Sequence, residues 1–287
     1  MSTVLSQHSG GSHLAADHPG VVKIGRVGWL AKGVVYIVAG ILALLIAAKA
    51  SGWSRAASAP NKEASPTGAL TTIAHVPGGA LLMWLLAIGM LVYAAWRLVS
   101  ASLPAATNAK VWITRIGYVV SAVIYTTFAF TAMSLALSTT TNTNGNTKVT
   151  SLSGRVMSHT GGRLVIGVVG VVIMCAGVYR IVKGAKFDVD DELDLSGMSS
   201  DRVTWTRRLG AVGEVGRGIG LGLVGFFLFR SAMTYDVNEA TGLDGSLRRL
   251  ATQSWGLIVV LIVAVGFAAY GVFCLTTFTR RRLQAPI

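Results

Sequence analysis

Polar residues along this chain come in short clusters, and apolar residues come in long unbroken runs. Six runs reach the length of a bilayer crossing: Val27–Ala48, Gly79–Leu98, Ile116–Leu137, Arg163–Val182, Gly210–Met233 and Trp255–Thr277. A helix needs about 20 mostly apolar residues to traverse the hydrocarbon. Lipid offers no hydrogen bonds, so such runs become helices that pair every backbone N–H and C=O internally. A barrel is excluded, because barrel strands run about 9–11 residues and alternate in polarity. Between the runs, Ser65-Pro66 can cap and start a short helix with Pro at its first position. Asp244 can cap another over Gly245–Ala251, in which Leu247 and Leu250 share the face of a surface-lying amphipathic turn.

The charged clusters orient the runs. The side made of the tail before run one, the segments after runs two and four, the tail after run six and the adjoining run ends holds sixteen of the 25 Lys and Arg, among them Lys23, Arg26, Lys110, Arg115, Lys183, Lys186, Arg207, Arg208 and Arg280 to Arg282. The other side holds nine, including Lys49, Arg55, Arg155 and Arg248. The positive-inside rule places the richer side in the cytoplasm, with both termini there. Trp29, Trp96, Trp112, Tyr118, Trp205 and Trp255 fall at run ends, as an aromatic belt would.

Composition sharpens this picture. Hydrophobic residues make up 52% of 287 and charged residues 13%, against about 25% charged in soluble domains. One core could not bury so much apolar surface. The net charge of +13 does not point to nucleic acid, because the cations form no single patch or stripe; they sit at the ends of apolar runs, facing headgroups. Cys175 and Cys274 lie inside such runs and read as reduced core residues. Residues 1–22 form a polar tail without the pattern of a secretory signal, and they read as disordered.

The runs repeat in pairs. Arg26-Val27-Gly28-Trp29 aligns with Arg115-Ile116-Gly117-Tyr118, and Val34-Val35-Tyr36 with Val123-Ile124-Tyr125. A third copy sets Gly216-Arg217-Gly218 over Ala31-Lys32-Gly33 and Gly225 over Gly40. The even runs match at their first glycines, Gly79, Gly162 and Gly256, and near their ends carry Ala94-Ala95-Trp96, Gly177-Val178-Tyr179 and Gly271-Val272-Phe273. In the second copy Ser121-Ala122 replaces the Lys32-Gly33 pair. The expected fold is therefore an all-α membrane protein of six transmembrane helices, built as three parallel two-helix repeats in a pseudo-threefold arrangement. The repeats cover residues 23–104, 110–186 and 205–283, with an acidic linker over 187–204. Together with Leu193-Asp-Leu-Ser-Gly-Met-Ser199 and Gly242-Leu-Asp-Gly-Ser-Leu-Arg-Arg-Leu-Ala251, these motifs resemble the bacterial domain of unknown function 1206. The resemblance implies three tandem two-helix units in a bacterial plasma membrane, and it implies no reaction.

Candidate chemistry is sparse. Gly216-x-Gly-x-Gly-x-Gly222 contains a literal G-x-G-x-x-G from Gly220 to Gly225, but it lies inside a run rather than between a strand and a helix, which excludes a dinucleotide fold. Glycines four apart instead let helices approach closely; Gly216, Gly218, Gly220, Gly222, Gly33, Gly40, Gly170 and Gly177 are the expected packing positions. Lys32, Glu214 and Arg217 lie near the starts of runs one and five, with Arg97 and Arg180 near the ends of runs two and four. Glu214 and Arg217 can pair at i,i+3, and Lys32 and Arg217 can snorkel to headgroups. These five residues read as interfacial anchors, or as contacts for an anionic lipid or a partner. His75 and His159 occupy non-equivalent positions and do not suggest a shared metal. Asp188 to Asp194 lacks the Gly and Glu that a calcium loop needs at its sixth and twelfth positions. Asp236, Glu239 and Asp244 face Arg248 and Arg249 as local ion pairs, and Ser200 or Asp201 caps the helix leading into run five.

No nucleophile–base pair or carboxylate pair shares a location, so no enzyme, metal or cofactor is expected. No ionisable residue stands near the middle of a run, where proton relays and ion pathways place one. The leading reading is a non-enzymatic accessory or scaffold module of a membrane assembly, with the bilayer, membrane proteins or anionic lipid as partners. The rival is a passive transporter, channel or lipid-binding protein, for which Ser121, Thr126, Thr127 and Ser134 on run three would line a path.

Overall fold

The computed structural model describes residues 19–53, 63–75, 77–102, 109–137, 145–187, 193, 195, 197–253 and 255–279. The described chain is helical: α1 Pro19–Ala50, α2 Pro66–Ala74, α3 Gly79–Ser102, α4 Ala109–Leu137, α5 Gly145–Met157, α6 Gly162–Ala185, α7 Ser200–Thr234, a 3-10 turn over Val237–Glu239, α8 Leu243–Ala251 and α9 Gly256–Thr277. Five helices are long and apolar enough to cross a membrane, within α1, α4, α6, α7 and α9, and α3 is apolar over Gly79–Ala95. The order long, short, long occurs three times. The residues of the expected N-terminal tail up to His18, the acidic run Asp188–Glu192 and Arg280–Arg282 lie outside the described residues.

Local chemistry explains the short helices. Ser65 Oγ accepts from Gly68 N at 3.1 Å, and Pro66 opens α2 where its missing N–H costs nothing. Each short helix turns sharply into a long one at a glycine. A Cβ on Gly79, Gly162 or Gly256 would collide with the carbonyl of Ala74, Val156 or Leu250, so only a residue without a side chain lets the chain double back there. Two caps differ from expectation. The N-cap of α8 is Gly242, and Asp244 lies within the first turn; its carboxylate accepts Ala64 N and Arg248 Nε, each at 2.8 Å. Helix α7 starts at Ser200 behind Ser199, without a side-chain cap.

Long helices pack most closely in three pairs, α9 on α1, α3 on α4 and α6 on α7, with α7 also packed along α9 and α1 lightly on α3. The pairs share a contact pattern. A Cβ on Gly33 would stand 3.0 Å from Gly271 O, and one on Gly218 would stand 2.7 Å from Gly177 O. Half a pair further along, Gly40 meets Ala264 O at 2.9 Å, and Gly170 meets Gly225 O at 2.8 Å. In α3 and α4 the corresponding places hold buried alanines, Ala94 and Ala122, then Ala87 and Ala129. Helices α4 and α6 form no packed face with each other among the described residues.

The core divides along the bundle. Towards the short helices it is largely apolar, with Leu70, Met83, Leu247, Val260 and Val263 fully buried and the hydroxyls of Ser231 and Ser246 buried beside them. Leu247 and Leu250 therefore belong to this core rather than to a membrane surface, because α8 is pressed onto α9, α7 and α1. At the opposite end the core becomes aromatic and charged, around Trp29, Leu193, Tyr270, Phe273 and Cys274.

Candidate functional site

The charged end draws on all six long helices. Arg217 on α7 is 8% exposed. Its Nη1 donates to Glu214 Oε1 at 2.8 Å, one turn back on the same helix, and Arg180 Nη1 of α6 donates to Glu214 Oε2 at 2.8 Å. The i,i+3 pair expected from sequence is present; spacing gives no sign of the third member, Arg180, which comes from another helix. The Arg217 guanidinium lies 4.0 Å from the Tyr270 ring centroid of α9 and 5.1 Å from that of Tyr36 on α1. Lys32 Nζ approaches the same Tyr270 ring at 5.3 Å and the Trp29 ring at 4.8 Å. Tyr36 and Tyr270 meet edge to face at 4.9 Å. On the α3/α4 side, Arg97 donates through Nε to Tyr93 Oη at 2.9 Å and also through Nη2, while lying 4.8 Å from the Tyr118 ring. Tyr93 stacks against Tyr125 at 4.6 Å. The light packing of α1 on α3 brings the two sides together.

Aromatic faces suit this environment. A guanidinium is weakly hydrated and stacks readily on rings, and the attraction grows once water is excluded. Arg180 and Arg217 thus hold the carboxylate of Glu214, with Lys32 nearby across the Tyr270 ring, while Arg97 sits among the tyrosines of α3 and α4. Both Glu214 oxygens are already engaged. Arg217 Nε is buried without a hydrogen-bond partner among the described residues. Lys32 makes no hydrogen bond or ion pair among them.

The cations share one depth. Lys32, Arg97, Arg180 and Arg217 each stand about 17 or 18 residues from the end of their helix nearest the short helices, or about 27 Å at 1.5 Å per residue. That length is close to the thickness of a hydrocarbon core, about 30 Å. Leu193 and Leu195 of the linker close over that level, packed against Trp29, Tyr270 and Phe273.

Two sequence expectations change here. Arg217 does not snorkel outward, because Glu214 and Tyr270 hold it inside. Trp29 is 5% exposed and turns inward, donating Nε1–H to Thr277 Oγ1 at 3.2 Å; Trp112, Trp205 and Trp255 are exposed as a belt would be. The aromatic ring around the cations was missed. Its signal was the recurrence of Tyr36 and Tyr125 at the same place in successive copies.

The expected packing glycines are placed as follows. Gly33 and Gly40 face α9, Gly170 and Gly177 face α7, a Cβ on Gly216 would stand 2.5 Å from Gly266 Cα, and Gly218 faces Gly177 and Ile181. Gly220 sits against Leu243 and Phe267 at 3.2 and 3.4 Å. At Gly222 a Cβ would meet nothing, although the Gly222 backbone is what Gly177 packs on. The hydroxyls of run three are turned to their own helix: Ser121 donates to Gly117 O, Thr127 to Val123 O and Ser134 to Phe130 O. At the short-helix end the acidic residues pair locally, Glu239 with Arg249 at 2.5 Å and Arg230 at 3.4 Å, and Asp236 accepting from Asn238 N. His75 and His159 each engage a carbonyl four residues back, Thr71 O and Arg155 O.

Comparison with known proteins agrees with this architecture. One family model, Domain of Unknown Function (DUF1206), matches three successive segments, residues 27–103, 116–186 and 212–277. The uncharacterized protein YxxB of Bacillus subtilis (strain 168) is 31% identical over 260 residues, covering 90% of each chain. No solved structure matches the chain.

Proposed function

We propose that this chain, which belongs to the DUF1206 family, is a six-span, non-enzymatic scaffold or accessory module of a larger assembly in a bacterial plasma membrane. Helix α3 is the sixth span; its 24 residues exceed the length a crossing requires. The three family matches, the glycine corners at Gly79, Gly162 and Gly256, and the matching contacts of the α9/α1, α6/α7 and α3/α4 pairs support three parallel repeats around a pseudo-threefold axis. The excess of Lys and Arg at the charged end supports cytoplasmic termini.

The observation that carries the scaffold reading over a transport path is the filled half of the bundle. Leu70, Met83, Leu247, Val260 and Val263 leave no solvent-accessible side-chain surface there, and α2 and α8 lie across that end. The hydroxyls that would line a path bond to their own helix. A static, close-packed core suits a part that positions other membrane helices. The partners that follow are membrane proteins within the bilayer, and not nucleic acid. Purification in mild detergent with identification of co-eluting proteins tests this. A membrane protein recovered at fixed stoichiometry is the expected result; solute flux through proteoliposomes containing this chain alone would overturn it.

A further inference from the structure

The charged end holds more positive charge than it neutralises. Lys32 and Arg217 approach the same Tyr270 ring, at 5.3 and 4.0 Å, and each lies in the other's field. Like charges this close repel, and the repulsion strengthens where water is excluded. Glu214 offsets only part of this, since one carboxylate stands against three cations and its two oxygens already accept from Arg217 and Arg180. What remains is specific: an Arg217 Nε–H buried without a partner among the described residues, in a side chain 9% exposed, beside a Lys32 ammonium without an acceptor among them. A buried, unpaired N–H on a charged group is costly, and native structures satisfy such groups with a protein atom, water or a ligand.

We propose that Lys32 and Arg217 form a binding site for a phosphate-type oxyanion, with the rings of Trp29, Tyr36 and Tyr270 as its walls and Glu214 fixing the guanidinium from behind. An oxyanion accepts from Arg217 Nε–H and from the ammonium together, and it removes the repulsion between them. Two sources carry this chemistry, the headgroup of an anionic phospholipid and free phosphate. Depth favours the headgroup, because the cations stand about 27 Å from the short-helix end of their helices, at the boundary where lipid phosphates lie. The site goes beyond the scaffold reading and does not depend on it.

The test uses the full chain, stripped of lipid in a neutral detergent. Binding is followed by native mass spectrometry and by thermal unfolding, with phosphatidylglycerol or phosphatidylcholine in mixed micelles and with inorganic phosphate. Stabilisation and binding by phosphatidylglycerol alone identify a lipid site; a response to inorganic phosphate as well identifies a general oxyanion site. Lys32→Met removes one charge-assisted bond and weakens binding by about tenfold, and Lys32→Arg retains it. Because Lys32 holds no hydrogen bond within the described fold, the Met variant still folds and reports on the site. Its fold is checked by its unfolding curve without added anion, which stays cooperative and close to that of the parent, because the lost repulsion from Arg217 offsets the lost attraction of the Trp29 and Tyr270 rings. Equal responses to phosphatidylglycerol and phosphatidylcholine, no response to any of the three, or unchanged binding in Lys32→Met would each overturn the proposal.

Discussion

Glu214 holds two arginines at once, and its position in the fold makes it the least replaceable charge in the bundle. Arg217 is 9% exposed at its side chain, Glu214 12% and Arg180 33%. Removing one partner of a buried pair leaves the other charge desolvated and uncompensated, which costs about 3–5 kcal/mol. Glu214→Gln is therefore expected to destabilise the protein by about 3 kcal/mol, read as a large drop in melting temperature in detergent. A proton relay through Glu214 is not expected, because both its oxygens accept from guanidinium groups. The glycines divide at the same scale. Gly218→Leu must push α6 away, since Gly177 O and Ile181 already stand at 2.7 Å from a Cβ there, whereas Gly222→Ala enters open space and leaves the melting temperature within about 1 °C of the parent, consistent with the small effect of substitutions that touch nothing. Both glycines belong to one sequence motif. Spacing alone reveals that a helix has a small-residue face; which member of the face points at a neighbour depends on a rotation that only the neighbour sets.

Helix starts were legible because they are local. Ser65 with Pro66, and the glycines that open α3, α6 and α9, are set by chemistry within a few residues, and they stand where the sequence places them. What each long helix turns inward was not legible. In a soluble helix, one apolar stripe marks the buried face. In an apolar run every face qualifies, so Trp29 could be read as a belt residue although it points at Thr277. The short helix α8 shows the same limit. Asp244 resembles a cap in sequence, yet its partner is Ala64 N, 180 residues away. That bond ties the segment before α2 to α8 and makes α8 a clamp across the bundle. Asp244→Ala leaves the buried Ala64 N–H unpaired and removes the Asp244–Arg248 ion pair, a loss of about 1–3 kcal/mol. The check is a melting curve alongside Asp236→Ala, whose exposed carboxylate caps only a 3-10 turn and whose loss is expected to cost less.

For the whole molecule, the six-span reading puts every short helix on one side of the membrane and the linker before α7 on the other. Cysteines introduced at Ser51 and Thr252, both exposed, are expected to react with an impermeant thiol reagent added to intact cells. A cysteine at Thr204, exposed near the start of α7, is expected to react only after the cells are opened. Labelling of Thr204 alone in intact cells would turn the molecule over, and the cationic cluster would then face outward.

Chain order and packing order are out of step in this bundle, and that governs how it can be made. Helix α1 is synthesised before all the other described helices, yet its glycine face at Gly33 and Gly40 fits α9, the last of them. About 200 residues separate the two, and at about 5–20 residues per second the ribosome needs at least ten seconds or so to supply the partner. Until then the face of α1 is occupied by lipid, by the insertion machinery or by α3. Assembly therefore ends when the last described helix docks on the first, and a ribosome that stalls before Gly256 leaves α1 with an unmatched glycine face for quality-control proteases to recognise.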